Sequence, residues 1–379
     1  MSAILTLNAG SSSVKFALYL SAEEPEELVQ GQVESLGPAA RLLMDGRDAV
    51  ELGEQDHAGA VRAILEAIGP LIEGHEITGV GHRIVHGGMD FAEPVELTPE
   101  TIAALEALIP LAPLHQPHNL AAIAAAQGAF PDAVQIGCFG TAFHRGHPFV
   151  NDAFAIPRKY YDEGVRRYGF HGLSYDYITS VLEQDYPELG DGRVVIAHLG
   201  NGASMCAVRD GQSIASTMGF SALDGLAMGT RSGQVDPGVL LYLLDQGMSK
   251  DELETMLYRE SGIKGLSGIS HDMRTLLASD DPHAAEAIDY YVFRIRRELG
   301  AMAAVLGGVD AFVLCGGIGE NAVPIRARIL QGLEFLGIEL DAEANAANKT
   351  LISKGETDVL VIPTDEERVI ARAVQGALA

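Results

Sequence analysis

Tryptophan is absent and cysteine nearly so: Cys138, Cys206 and Cys315 lie far apart inside apolar stretches of a 379-residue chain. That spacing excludes a disulfide framework and any cysteine-based metal motif, and it predicts buried thiols in a reducing compartment. Cations are scarce as well. Lys and Arg number 26 against 52 Asp and Glu, for a net charge of −26, and only six of the 26 are Lys. A chain this acidic offers no broad basic face to DNA or RNA. It still admits an anionic small molecule wherever arginines gather in a cleft. Long hydrophobic runs are missing too: the stretch 301–317 is broken by glycines and Asp310, so no membrane span is expected. Met1 leads straight into an apolar strand, which reads as no secretion signal and makes the cytoplasm the expected compartment. There is no G-x-x-x-x-G-K-[ST] run, which excludes a P-loop. With 47 % hydrophobic residues and no low-complexity segment, the chain is long enough for two domains, each with its own core.

What is present begins with a hairpin. Residues 3–20 read as an apolar strand, a turn of Asn, Gly and Ser from Asn8 to Ser13, and a second apolar strand. Residues 193–209 repeat that plan, with Gly200, Asn201, Gly202 and Ser204 in the turn. A tip of small residues brings backbone amides close to an anion. One such hairpin is an ordinary tight turn; two, half a chain apart, predict duplicated domains gripping one phosphate-bearing ligand. The rest of the pattern fits. Strands are expected at 4–7, 16–20, 79–85 and 133–139, with helices at 99–109 and 120–128. Strands at 194–199, 205–208 and 213–217 follow, then helices at 236–246, 250–259 and 284–306. A strand at 311–315, a helix at 323–336, a strand at 359–362 and a helix at 365–378 close the chain. Strands first and then alternating helix and strand, twice over, is an α/β duplication.

Several segments carry chemistry. The run 81–88, G-H-R-I-V-H-G-G, sets Arg83 beside a glycine pair, suited to bidentate capture of a carboxylate or phosphate. His115 and His118 have a spacing compatible with metal, but no third ligand follows at usable distance. His171 and His198 sit beside glycine turns, where each is a phosphate donor or a structural histidine. Arg231 lies in the glycine-lined loop M-G-T-R-S-G, and Asp272 and Arg274 end G-L-S-G-I-S-H-D-M-R. G-G-I-G-E-N at 316–321 follows a buried strand and precedes a helix; it imitates a dinucleotide fingerprint weakly and reads better as a glycine platform for a base or ribose.

Taken together, N-A-G-S-S-S-V-K at 8–15, H-R-I-V-H-G-G at 82–88, G-F-H-G at 169–172, H-L-G-N-G at 198–202, M-G-T-R-S-G at 228–233, G-G-I-G-E-N at 316–321 and P-T-D-E-E at 363–367 resemble the acetate kinase family, in order along nearly the whole chain. The resemblance implies an α/β fold of two duplicated actin-like, ribonuclease H-like lobes with the nucleotide cleft between them. The first lobe is expected over 1–147 plus about 369–379, and the second, with the adenosine site and the dimer interface, over 148–368. It also implies reversible transfer of the ATP γ-phosphoryl group to acetate, with ADP as the other product, Mg²⁺ or Mn²⁺ as metal, and a homodimer. By the same resemblance, Asn8, Ser11, Ser13 and Lys15 belong to the first phosphate loop, and His198, Leu199, Gly200, Asn201 and Gly202 to the second. Arg83 and Arg231 would hold the carboxylate and the migrating phosphoryl group, and His171 would donate to that group, with His115 also in the cleft. Asp272, Met273, Arg274 and Gly316, Gly317, Ile318, Gly319, Glu320 and Asn321 would surround the nucleotide. Asn8 and Glu366 would face the metal, and Val85, Leu114, Phe170 and Ala222 would wall the acyl pocket. Such a site is expected to be rich in cations and poor in acids.

Three positions depart from the family pattern. Phe139-Gly-Thr-Ala-Phe-His144 has Gly140 where F-D-T-A-F-H carries an Asp beside the metal. Either water fills that place and activity survives, weakened, or the chain is a nucleotide- or acyl-phosphate-binding regulator; the intact Arg83, His171, Arg231 and Glu366 favour an enzyme. Tyr175 stands where a His is common, and Ala222 where Pro is frequent. The smaller Ala222 would admit propionate beside acetate. A sugar or glycerol kinase of the same fold is the other enzyme alternative, and the paired arginines speak for an anionic acceptor instead.

Overall fold

The computed structural model describes residues 2–10, 12–113 and 115–379. The chain divides into two units, Met1–Ala142 with Asp365–Ala379, and Phe143–Thr364. In the first, β1 (Ser2–Ala9), β2 (Val14–Leu20), β3 (Glu26–Glu34), β4 (Gly37–Met44) and β5 (Val50–Gln55) form an antiparallel meander. β6 (Glu76–Ile84) then lies parallel to β1, and β8 (Val134–Phe139) parallel to β6, with the short β7 (Val95–Glu96) at the edge. The order is β5-β4-β3-β2-β1-β6-β8-β7. β1, β2, β6 and β8 are the apolar runs that the sequence exposes most plainly. β3 to β5 were not expected: their Glu, Gln and Gly residues leave only a half-buried alternation.

Leu5, Leu7, Phe16 and Leu18 are buried with Val61, Ile64 and Ile68 of the helix His57–Ile68, which Asp56 caps by accepting from the Gly59 N–H. The helix Glu366–Leu378 packs on β1, β6 and β8. It approaches β6 so closely that a Cβ on Gly79 would stand 2.3 Å from Val374 Cγ1, and one on Gly81 2.3 Å from Ile370 Cγ2. Two glycines make the groove that seats this helix.

The second unit repeats the plan. β9 (Arg193–Leu199), β10 (Ala203–Arg209) and β11 (Gln212–Ser216) are an antiparallel meander, and β12 (Ala311–Cys315) and β13 (Asp358–Val361) add in parallel. The order β11-β10-β9-β12-β13 matches β3-β2-β1-β6-β8 strand for strand. The duplication expected from two hairpins is thus present as topology. The helix Gly172–Asp185 buries Tyr175, Ile178 and Leu182 in the core with Val194, Ile196 and Val313. The helix Pro282–Leu306 packs on β9, β10 and β11.

Two expected helices are corrected. The run 323–336 stops at Leu330, because Gly332 takes φ +71°, and resumes as a single 3₁₀ turn, Glu334–Leu336. The run 250–259 is α-helical only over Lys250–Thr255 and widens into a π-turn, Met256–Glu260. G-G-I-G-E-N does not merely precede a helix: Gly316–Asn321 is itself a short one. Among the described residues no helix is long and apolar enough to cross a membrane.

Candidate active site

In the first unit, the expected residues gather where the parallel strands end. Leu7 of β1 pairs with His82 of β6, and Ile84 of β6 with Phe139 of β8, so Asn8, Arg83 and Gly140 occupy one sheet edge. The Arg83 Nε–H donates to Glu366 Oε2 at 2.8 Å. A site expected to be poor in acids thus has a carboxylate on its first arginine, from the first turn of the helix Glu366–Leu378. Asn8 Nδ2 donates to Glu367 Oε1 at 3.3 Å, and Lys15 faces Asn8 across the β1–β2 ladder. Burial raises the Glu367 pKa, with the Lys15 charge opposing. The Gly140 N–H donates to Ile84 O at 2.8 Å. A Cβ there would stand 3.0 Å from Val85 O and 3.7 Å from Arg83 Nη2, so an Asp at 140 would reach the guanidinium.

The hairpin tip is tied by its own backbone, Gly10 N–H to Ser13 O at 2.8 Å. His57 Nε2–H donates to Gly10 O at 2.7 Å, and His57 stacks on His118 with centroids 4.2 Å apart. Asn119 spans two strand ends, donating to Ala9 O at 2.7 Å and accepting the Val85 N–H at 2.9 Å. His115 precedes the helix Gln116–Ala129 that carries Asn119.

In the second unit, His171 is the residue before the helix Gly172–Asp185, in the left-handed region at φ 58°. Its ring stacks on His198 at 4.2 Å, and its Nδ1 lies 2.8 Å from Ser204 Oγ. Phe170 O accepts from the Nε2–H of His144, whose buried ring is pushed down to a pKa of about 3. Arg231 gives Nη1 to Ala222 O at 3.3 Å and approaches Met228 Sδ; no carboxylate among the described residues pairs with it. Burial lowers its pKa. His171 Nε2 and Arg231 Nη1 converge on Gly202, 3.3 and 3.7 Å from where a Cβ would stand. The absence of a side chain there leaves a place for an anion between a ring N–H and a guanidinium.

Beside this turn lies a cavity of about 700 Å³. Gly200 and Asn201 form one wall, Asp272, Met273 and Arg274 a second, and Gly317, Ile318 and Asn321 a third. His271, Leu277, Ala322 and Pro324 complete the lining and were not expected. Asp272 caps the turn Met273–Leu277 and pairs with Arg274 at 2.7 Å, which holds its carboxyl below the usual range. Leu199, Gly316 and Gly319 are buried beneath the wall, outside the lining. Glu320 turns back to accept the Gly316 N–H at 2.8 Å, so it braces the segment.

The brace continues through a residue that sequence reasoning missed. Arg326 is fully buried and donates to Gly319 O, Glu320 O, Asn345 Oδ1, Asn345 O and Asn348 Oδ1. Asn119 and Glu367 were missed too, since each acts on a group far along the chain; Ser204, expected in the turn, lies on β10, where its hydroxyl reaches His171. Ser11 and Leu114 lie outside the described residues. Among the described residues no three His, Cys, Asp or Glu side chains group as a metal site.

Comparison with known proteins shows what the chain as a whole is similar to. The Acetokinase family model matches residues 3–372. The acetate kinase of Methylocella silvestris is 55 % identical, covering 97 % of this chain and 96 % of its own length. That of Rhizobium meliloti is 50 % identical over 98 % and 97 %. Among solved structures, Porphyromonas gingivalis acetate kinase superposes with a TM-score of 0.90 at 38 % identity, covering 100 % of both chains. A propionate kinase from Francisella tularensis gives 0.92 at 36 %, over 99 % and 100 %. The five-strand plan common to both units is the ribonuclease H-like core of the actin-like fold. A match of this length takes in both units: the chain belongs to the acetokinase family.

Proposed function

We propose that the chain is an acetate kinase, transferring the γ-phosphoryl group of ATP to acetate in one reversible in-line step. An acetate oxygen forms the new P–O bond, the β–γ bridging oxygen leaves with the bonding pair, and ADP and acetyl phosphate result. No proton moves, because acetate is already ionised at neutral pH, so no general base is needed.

Arg231 carries this reading. Its guanidinium is half-buried, with a carbonyl and a thioether as its hydrogen-bond partners, the Tyr258 hydroxyl group nearby in its electrostatic field, and no carboxylate partner among the described residues. Desolvation disfavours such a cation when no counter-charge is present, and an anionic ligand offsets that cost. Arg231 binds the carboxylate and the migrating phosphoryl group from one side, and His171 donates Nε2–H to the same group. Arg83, oriented by Glu366, supplies the second guanidinium. The backbone at Asn201 and Gly202 cradles phosphate, as Ser11, Ser13 and Lys15 do at the first hairpin. The 700 Å³ cavity takes the adenosine between the 272–274 turn and the 317–321 helix.

Magnesium, when bound with the nucleotide, supplies neutralisation of phosphate charge; manganese takes the same donors. Asn8 and Glu366 would hold it, directly or through water. They fit as oxygen donors: Asn8 spends its amide nitrogen on Glu367, which points its oxygen elsewhere, and a cation that keeps several waters needs few protein ligands.

Val85, Leu114, Phe170 and Ala222 wall the acyl group. A methylene in such a pocket is worth about 1–3 kcal/mol, so propionate is used beside acetate. The protein works as a cytoplasmic homodimer, joined by the second unit.

Trapping the product with hydroxylamine, in the presence of ATP, Mg²⁺ and either acid, tests the reading. Hydroxamate should form at a turnover far above the enzyme-free rate, and Arg231→Ala should cut kcat by about 10²–10³-fold, as for loss of one oxyanion donor. No hydroxamate would leave a nucleotide-binding regulator as the alternative.

A further inference from the structure

We propose that Tyr175, acting through Ser204, sets the tautomer of His171, so that the ring presents an Nε2–H to the group it works on. The consequence for turnover rests on the kinase reading; the wiring does not. Tyr175 lies four residues after His171, on the first turn of the helix Gly172–Asp185, and its hydroxyl contacts Ser204 Oγ inside the core. Ser204, fully buried on β10, also lies 2.8 Å from His171 Nδ1.

The positions of the protons follow from counting. Burial lifts the Tyr175 pKa well above its usual range, so the phenol keeps its proton. Ser204 Oγ is the one hydrogen-bond partner of that hydroxyl among the described residues. A buried O–H left without an acceptor costs about 1–3 kcal/mol, so Tyr175 donates to Ser204. Ser204 then accepts from Tyr175 and spends its single proton on its other neighbour, Nδ1 of His171. A neutral imidazole that accepts at Nδ1 carries its hydrogen on Nε2. Nε2 is the nitrogen that faces Gly202, where Arg231 Nη1 also converges.

The neighbouring ring is wired the other way. Ser174 gives its proton to Thr364 Oγ1 at 2.8 Å, so His198 must donate from Nδ1 to Ser174 Oγ, also at 2.8 Å. Two stacked histidines thus hold opposite tautomers, each chosen by a serine. Stacking fixes the plane of His171 and its left-handed backbone fixes its position. The tautomer is the remaining freedom, and Tyr175 removes it. Tyr175 is a positioning residue and touches no substrate.

Tyr175→Phe keeps the ring and deletes the proton. In two-bond ¹⁵N–¹H NMR of the substrate-free protein at neutral pH, with His171 assigned by loss of its signal in His171→Gln, the wild type should show protonated Nε2 and bare Nδ1. In Tyr175→Phe the pattern should largely invert, with Nδ1 protonated and Nε2 mostly bare. kcat should fall about tenfold, as expected when the competent tautomer drops to roughly a tenth, while KM for acetate and for ATP stays put. Ser204→Ala should lose about as much, and the double variant no more than either alone, because the two act as one chain. A wild-type signal protonated at Nδ1, an unchanged signal in Tyr175→Phe, or additive losses in the double variant would overturn the proposal. Because the NMR readout needs no turnover, absence of kinase activity would count against the kinase reading alone.

Discussion

Gly140 leaves Arg83 with the Glu366 carboxylate, where an Asp at 140 would add a second. An Asp at 140 reaches the guanidinium past Val85 O, which must give by a few tenths of an ångström. Gly140→Asp should therefore cost about 1 kcal/mol of stability, the ordinary scale for a tight substitution. It should raise kcat and lower the Mg²⁺ concentration for half-maximal rate, each by about tenfold, the scale of one well-placed hydrogen-bonded charge. Steady-state kinetics across a Mg²⁺ titration check this; identical curves would mean that water already fills the place. Arg326 offers a test within the second unit. Arg326→Met strips five hydrogen bonds from a buried cluster, two of them on the 316–321 helix. A loss of about 3–5 kcal/mol by urea denaturation is expected, with weaker ADP binding by calorimetry. Neither role is legible in a lone Arg of the sequence. Arg83, His171 and Arg231 announce themselves by their glycine neighbours, whereas Arg326, Asn119 and Ser204 gain their meaning from contacts that only the fold creates.

Among the elements, the helix Pro237–Asp245 stands out because none of its residues is buried. It shows Val239, Leu241, Tyr242 and Leu244 on the surface, with Leu241 64 % and Tyr242 61 % exposed. Adjacent exposed apolar residues of this size mark a contact surface, and the homodimer proposed above covers them with a second copy. Leu241→Glu combined with Tyr242→Glu should convert the dimer to a monomer in sedimentation velocity, with the fold intact by circular dichroism. Unchanged sedimentation would place the interface elsewhere. This helix was legible from its Asp236-Pro237 start and apolar run, but its exposure was not: a run apolar all round reads equally well as buried. β9 and β12 were plain, being continuous apolar stretches. β3 to β5 were hidden because strands solvated on one face carry the same Glu and Gln as loops.

At the scale of the molecule, two buried histidines and one half-buried histidine should make the fold acid-sensitive. Burial pushes His82 down to about 4, His144 to about 3 and His147 to about 4, from an ordinary 6.5. They are neutral in the fold, and the unfolded chain takes up their protons first. Between pH 6.5 and about 4 the unfolded state binds more protons, so stability rises with pH and is lost on acidification. His82→Asn, which keeps a donor for Gln135 Oε1, should flatten the pH dependence of the unfolding free energy across that window by about one proton. An unaltered slope would assign the acid response to other groups. The seat that Gly79 and Gly81 make for the helix Glu366–Leu378 has a consequence for synthesis. The first unit is begun by residues up to 142 and completed by residues from 365 onward, so its core waits while the whole of 143–364 is translated. Vectorial folding is thereby reversed: the later-made unit is the first to be complete in sequence. A 1–142 fragment should be protease-sensitive alone and become resistant when a peptide of residues 365–379 is added in trans.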